Sequence, residues 1–119
     1  MTQLYAIILE DDPKLGTIYQ TVLQQAGYET DLDANGNQYR ALLDLRQPDL
    51  VILDLHLPYA FGGDILNEVR AKYADTVVAV VTADLVKAKT LTGSADHILI
   101  KPVSVASLLR LAESLKKEK

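Results

Sequence analysis

Residues 50–54 read Leu-Val-Ile-Leu-Asp, four apolar residues that end in a carboxylate. Short runs that are apolar throughout are typical of parallel strands covered by helices on both faces. Three other apolar runs also end in a chemically useful side chain: residues 6–9 before Glu10, residues 77–81 before Thr82 and residues 98–100 before Lys101. The carboxyl ends of the strands in an open parallel sheet share one edge, where ligands bind. We therefore expect these side chains to meet there.

Strand-like and helix-like segments alternate along the whole chain, without internal repeats or a linker. This alternation predicts an α/β fold in which helices cover both faces of a parallel sheet. The predicted strands are residues 4–9, 28–32 (near the sheet edge), 50–54, 77–82 and 98–100. The predicted helices follow Asp12-Pro13, Asn35-Gly36 and Gly62-Gly63, span about residues 85–91, and begin after a capping Ser104. Helical spacing predicts inward faces at Leu15, Ile18, Val22 and Leu23 in the first helix and at Val105, Leu108, Leu109, Ala112 and Leu115 in the last.

The composition limits the class of protein. A length of 119 residues predicts one domain over residues 1–119, and 49% hydrophobic residues argue against disorder. The absence of cysteine excludes disulfides and thiolate metal sites. No apolar run approaches the roughly 20 residues that span a bilayer, and the first residues lack a signal-peptide pattern. With a net charge of −4 and no basic groove, we expect a cytoplasmic protein without membrane or direct nucleic-acid contacts.

Asp54 is the leading candidate for chemistry. A carboxylate that ends an apolar strand lies at the rim of the core, where it is able to act as a nucleophile and form an acyl phosphate. The alternative for Asp54 taken alone is a turn cap before Pro58. Glu10 and Asp11 favour the first interpretation, because clustered acids repel one another unless a cation binds. Oxygen ligands of this kind select Mg²⁺, with Mn²⁺ as an alternative.

Thr82 and Lys101 add a hydroxyl and an ammonium to this set. Taken singly, Thr82 is an ordinary strand residue and Lys101 an ordinary surface lysine. Beside a phosphorylated Asp54, the hydroxyl is able to donate a hydrogen bond to a phosphoryl oxygen, and the ammonium neutralises its charge. The specific feature is the order of the four sites along the chain: an acid pair, an aspartate, a threonine and a lysine.

In this order the motifs resemble the receiver domain of two-component response regulators, over essentially the whole chain. Residues 7–13 look like the acidic signature of the family, and residues 48–58 followed by Gly62 look like its phosphoacceptor segment. Thr82-Ala83 and Lys101-Pro102 match its two remaining sites. The resemblance implies a flavodoxin-like, doubly wound, three-layer α/β/α domain with five parallel strands in the order 2-1-3-4-5.

The resemblance also implies roles. Asp54 would accept a phosphoryl group from a histidine kinase, a phosphotransfer protein or a small donor, while Thr82 and Lys101 bind the phosphoryl oxygens. The implied Mg²⁺ ligands are Asp11 directly, Glu10 through water, Asp54 and the backbone carbonyl of His56. The Lys101–Pro102 peptide would be cis. Such a domain is a phosphoacceptor rather than an enzyme, with at most self-phosphorylation and slow autodephosphorylation.

Some positions depart from the family pattern. Ile98 stands where most members have an aromatic residue, and strand alternation directs the adjacent His97 to the other face. The short interval from Thr82 to Lys101 predicts a short or irregular fourth helix. For Tyr59 and Phe61 we expect partial burial against the third helix, with an exposed aromatic contact as the alternative. The side chain of His56 is expected to tune access to the phosphoryl site.

Three functions follow, in order of preference. The first is a phosphorylation-controlled signalling domain, with a homodimer through the last two helices and the fifth strand as a further expectation. The second is a degenerate receiver that binds partners without phosphorylation. The third, a small phosphohydrolase, is disfavoured because His56 stands where a second acid would be needed, two residues after Asp54.

Overall fold

The computed structural model describes the backbone of residues 3–118 and the side chains of residues 3–116. Strands and helices alternate throughout. The strands are β1 (Tyr5–Leu9), β2 (Glu29–Asp33), β3 (Leu50–Asp54), β4 (Val77–Thr82) and β5 (His97–Ile100). The helices are α1 (Pro13–Gln25), α2 (Tyr39–Leu45), α3 (Gly62–Lys72), α4 (Leu85–Thr90) and α5 (Val105–Glu118).

The five strands form one parallel sheet in the order β2-β1-β3-β4-β5. This confirms the predicted doubly wound α/β fold and the edge position of the second strand. β1 and β3 are buried along their whole length, as expected for strands with helices on both faces. Their register places Leu9 beside Leu53, so that the residues following them emerge side by side.

Strand alternation divides the core into two layers. Ile8 and Ile52 pack with α1 and α5 on one face of the sheet. Leu9 and Leu53 pack with α2 and α3 on the other face. Residues two positions beyond Ile8 and Ile52 therefore return to the α1/α5 face.

Side chains cap the helices that flank the strand ends. Asp12 is the N-cap of α1, and its Oδ1 accepts hydrogen bonds from the backbone N–H groups of Lys14 (2.9 Å) and Leu15 (3.2 Å). The Oγ of Ser104 accepts a hydrogen bond from the Ser107 N–H at the start of α5. Both caps agree with the sequence patterns, because short oxygen-bearing side chains satisfy the free N–H groups of a first turn.

The loop after β2 contains a feature that the sequence analysis missed. Asp33 is fully buried, and its carboxylate accepts hydrogen bonds from five backbone N–H groups. The donors are Asn35, Gly36, Asn37, Gln38 and Tyr39. This carboxylate organises the turn that leads into α2, where Gly36 adopts a φ of 82°.

Several predicted inward faces are wrong. Ile18, Val105 and Leu109 are 44%, 53% and 40% exposed. In α5 the buried stripe consists of Leu108, Leu111, Ala112 and Leu115, which is narrower than the predicted face. Leu109 lines a surface groove with His97 and Leu99 of the edge strand β5, which leaves that flank of α5 open to solvent.

The loop after β3 also differs from expectation. Tyr59 and Phe61 are 72% and 68% exposed, so the expected partial burial against the third helix is wrong. Leu55 is buried and Leu57 and Ala60 are partly buried against the α2/α3 core layer. These three side chains already occupy the inner side of the loop, which leaves the two aromatic rings in solvent. The fourth helix, α4, is short, with six residues as predicted from the sequence spacing.

Candidate functional site

The residues at three strand ends converge on one pocket. The Nζ atom of Lys101, after β5, lies 3.0 Å from Oε1 of Glu10, after β1. The same nitrogen lies 3.2 Å from Oδ2 of Asp54, at the end of β3. Glu10 and Asp54 are both almost completely buried. Residues separated by up to 91 positions in sequence thus meet as predicted.

Three carboxylates could hold a divalent cation. Glu10, Asp11 and Asp54 each offer one oxygen, and these oxygens lie within 4.8 Å of one another. Asp11 is exposed, whereas the other two are buried, so the cluster faces both the core and the solvent. The buried Oε1 of Glu10 has no hydrogen-bond partner, although the Lys101 ammonium is near. An all-oxygen set of three carboxylates fits a hard cation such as Mg²⁺.

The pocket distributes its charge unequally between the two buried acids. Burial, and then the close contact with Asp54, raise the pKa of Glu10 to about 7. Burial opposes ionisation of Asp54 as well, but contacts with Glu10, the His56 N–H and Lys101 together lower its pKa. Lys101 loses hydration by burial, yet its two acidic partners raise its pKa. Asp54 is therefore the ionised carboxylate of the pair, as a nucleophile must be.

Thr82 is fully buried at the end of β4. Its Oγ1 accepts a hydrogen bond of 3.0 Å from the Asp84 backbone N–H, so the hydroxyl hydrogen remains available as a donor. The Lys101 backbone N–H donates to the Thr82 carbonyl at 2.9 Å, which joins the two strand ends. The following Lys101–Pro102 peptide is cis, as the resemblance implied.

His56 contributes its backbone to the site. Its N–H donates a hydrogen bond of 3.0 Å to Oδ1 of Asp54. Its side chain is 54% exposed, with Nε2 3.8 Å from Oδ2 of Asp84. The proposed metal-binding role of the His56 carbonyl and the tuning role of its ring both remain predictions.

Asp84 is a residue near the site that the sequence analysis did not single out. It caps α4 by accepting a hydrogen bond from the Lys87 N–H and also contacts the His56 ring. The signal was present, because aspartate directly before a helical segment is a common N-cap.

Over residues 3–118, no helix has the length and apolar character needed to cross a membrane.

Comparison with known proteins gives a consistent result. A family model described as the response regulator receiver domain matches residues 6–113. The transcriptional regulatory protein BaeR of Escherichia coli O6:H1 is 35% identical over 101 residues, which cover 82% of this chain and 42% of BaeR. PcoR, a transcriptional regulatory protein of Escherichia coli, is 36% identical over 112 residues, 92% of this chain and 50% of PcoR. The chain thus spans about half the length of these relatives.

Solved structures share the fold. A CheY-like receiver domain protein from Methanospirillum hungatei JF-1 superposes with a TM-score of 0.85 at 22% identity, covering 99% of this chain and 100% of that one. The receiver domain of DrrB, solved in a BeF₃-activated form, gives a TM-score of 0.86 at 22% identity, with coverages of 98% and 99%.

Proposed function

The chain belongs to the response regulator receiver domain family of two-component systems, and on this premise we propose that it accepts a phosphoryl group on Asp54. The observation that carries the proposal is the state of this side chain. Asp54 is buried, and its carboxylate is held by the Lys101 ammonium at Oδ2 and the His56 N–H at Oδ1. Asp54 ends β3 at the carboxyl edge of the sheet, the edge where ligands bind in open parallel sheets.

The proposed donor is the phosphohistidine of a histidine kinase or phosphotransfer protein, as the family membership supports. An oxygen of the Asp54 carboxylate attacks phosphorus, and a new P–O bond forms as the P–N bond breaks. The histidine nitrogen leaves with the electron pair of that bond and takes up a proton. The product is an acyl phosphate on Asp54, so the chain acts as a phosphoacceptor. The conformational change that follows phosphorylation would control the output of the signalling system. Beyond this we propose only self-phosphorylation from small donors and slow autodephosphorylation.

Glu10, Asp11 and Asp54 would hold the divalent cation, with the His56 carbonyl as the further ligand that the family resemblance implies. Bound Mg²⁺, or Mn²⁺ in its place, supplies charge neutralisation for the phosphoryl oxygens. Lys101 adds a second positive charge beside Asp54, and the free hydroxyl hydrogen of Thr82 is available for a phosphoryl oxygen. Positioning and charge neutralisation are the main contributions that a protein makes to this class of transfer.

We propose that these residues act through protein partners in the cytoplasm. BaeR and PcoR are named as transcriptional regulators, and about half of each lies outside the match. The net charge of −4 supports an output that does not depend on direct nucleic-acid contact by this domain.

A homodimer through the last two helices and the fifth strand remains part of the proposal. The exposed apolar side chains of these elements support it: Leu85, Val86, Ile100, Val105 and Leu109. Contiguous exposed apolar surface is typical of association sites.

Incubation with Mg²⁺ and acetyl phosphate tests the acceptor directly. Intact-mass spectrometry should show one added phosphoryl group on the wild type and on the control Asp44→Asn, whose carboxylate is exposed and paired with Lys72. Asp54→Asn should gain none. A wild-type protein that stays unlabelled would refute the proposal.

The second candidate is an interaction domain that works without phosphorylation. Two observations favour it: Ile98 replaces the usual aromatic residue, and α4 has only six residues. Phosphorylation that leaves both partner affinity and amide signals outside the site unchanged would support this alternative.

A further inference from the structure

Tyr19 carries a buried hydroxyl that the proposed reaction does not use. Its side chain is 2% exposed on α1, and its hydroxyl oxygen has no hydrogen-bond partner. Among the side chains of residues 3–116, the only other buried polar atom in this condition is Oε1 of Glu10. A buried hydroxyl without a partner is costly. Oε1 of Glu10 still has the Lys101 ammonium 3.0 Å away, so the hydroxyl of Tyr19 is the group that calls for an explanation.

Tyr19 and Glu10 lie on the same side of the sheet. Tyr19 belongs to the core layer that contains Ile8 and Ile52. Strand alternation returns Glu10 and Asp54 to that layer, because each follows one of those residues by two positions. Tyr19 of α1 and the two buried acids of the pocket therefore share the α1/α5 side of the sheet.

Electrostatics agrees with this placement. Burial is the largest cause of the raised pKa of Tyr19, and the next is the charge of Glu10; Lys101 acts in the opposite direction, and Asp54 adds a smaller increase. The hydroxyl is thus close enough to interact with the site residues, although it makes no hydrogen bond to them in this state.

The charge balance around Glu10 changes if the proposed function is correct, and this inference rests on that function. In the present state the Lys101 ammonium is shared between Glu10 and Asp54. A phosphoryl group on Asp54 would draw that ammonium to its own oxygens. Glu10 would then lose this donor while one of its oxygens faces the cation, and the hydroxyl of Tyr19 is an unpaired donor in the same core layer.

We propose that Tyr19 is a positioning residue of the phosphorylation site. Its hydroxyl donates a hydrogen bond to the Glu10 carboxylate in the state that holds the cation and the phosphoryl group. This bond stabilises the loaded state over the empty one, and it therefore shifts the equilibrium between them.

Tyr19→Phe removes only the hydroxyl, and Tyr28→Phe is the matched control. Tyr28 is equally buried in the same core layer, but its hydroxyl donates to the Ala112 carbonyl at 2.8 Å, and Glu10, Asp54 and Lys101 are not among the charges that act on it. The two measurements are the affinity for beryllofluoride with Mg²⁺, from amide NMR titration, and the urea midpoint without Mg²⁺.

Tyr19→Phe should weaken beryllofluoride binding about tenfold, the effect expected for loss of a hydrogen bond to a charged group, and should not lower the urea midpoint. Tyr28→Phe should lower the midpoint and leave the affinity within twofold. Wild-type affinity in Tyr19→Phe would overturn the inference while leaving the proposed function intact. A fall in its midpoint as large as that of Tyr28→Phe would also overturn it, since the role would then be structural. A wild-type protein that binds no beryllofluoride would refute the proposed function itself.

Discussion

Glu10 and Asp54 are two buried carboxylates that share one ammonium, that of Lys101. A single positive charge cannot fully compensate two negative charges in a poorly hydrated pocket. The pocket responds by keeping Asp54 ionised and by raising the pKa of Glu10. This division leaves the negative charge on the residue that the proposed reaction needs.

The Glu10 carboxyl predicts a pH dependence of folding stability when divalent cations are removed with EDTA. Its pKa rises from 4.5 in the unfolded chain to about 7 in the folded protein. The folded state therefore binds the proton more tightly, and stability that is fully present below pH 4.5 is lost as the pH rises through 7. The free energy of unfolding, from urea titrations, should fall by up to about 3 kcal/mol across this window.

Glu10→Gln should remove this decline, since the amide does not titrate. Glu113→Gln, at a half-exposed glutamate of α5, should retain it. The lowered pKa of Asp54 acts only at lower pH, because the stability that it provides is lost as the pH falls below 3.8. An unchanged decline in Glu10→Gln would show that another group is responsible.

The convergence of Glu10, Asp54 and Lys101 was predictable from sequence, because each follows a run of apolar residues at a strand end. The raised pKa of Glu10 was not predictable in this way. It depends on the depth of burial and on the position of one lysine side chain, and neither is encoded in local spacing. The unpaired hydroxyl of Tyr19 was hidden for the same reason.

At the scale of the elements, the start of α3 determines how the loop after Asp54 is held. A Cβ atom at Gly62 would lie 2.6 Å from Cδ2 and 2.7 Å from Cα of Leu55. The second contact involves the backbone, so a rotamer change cannot relieve it. The adjacent Gly63 has no neighbouring atom within 4 Å of the same position. Only the first glycine is therefore required by packing.

Alanine substitution at these two glycines should change stability in opposite directions. Gly62→Ala should lower the free energy of unfolding by about 1–3 kcal/mol, because it forces the loop away from the helix. Gly63→Ala should raise it by about 0.4–1 kcal/mol, because it reduces the freedom of the unfolded chain. Urea unfolding measures both, and equal effects at the two positions would contradict the packing argument.

The order and type of the elements were predictable from the apolar runs and the helix caps, as Asp12 and Ser104 show. The buried faces of the helices were less predictable. Val105 fits the helical period of α5 but is exposed, because the sequence period does not specify how wide a stripe of the helix the neighbouring layer covers. Asp33 was overlooked because a buried carboxylate surrounded by backbone donors has the same local sequence as a solvated turn.

For the whole molecule, cation binding and folding stability should be linked. The three carboxylates of the cluster repel one another in the folded state, and an ion that binds them favours that state. At Mg²⁺ concentrations 100-fold above the dissociation constant, the free energy of unfolding should rise by about 2.7 kcal/mol. Asp11→Asn should lose most of this gain, since Asp11 is an exposed member of the cluster, whereas Asp44→Asn should keep it. A gain of wild-type size in Asp11→Asn would place the ion elsewhere.

The amide NMR spectrum, recorded with Mg²⁺ before and after addition of beryllofluoride, tests the central claim most directly. We expect the signals of the four strand ends to shift in the wild type, together with signals in β5 and α5 that lie outside the pocket, and we expect Asp54→Asn to show none of these changes. A wild-type spectrum that beryllofluoride leaves unaltered would contradict the assignment of Asp54 as a phosphoryl acceptor.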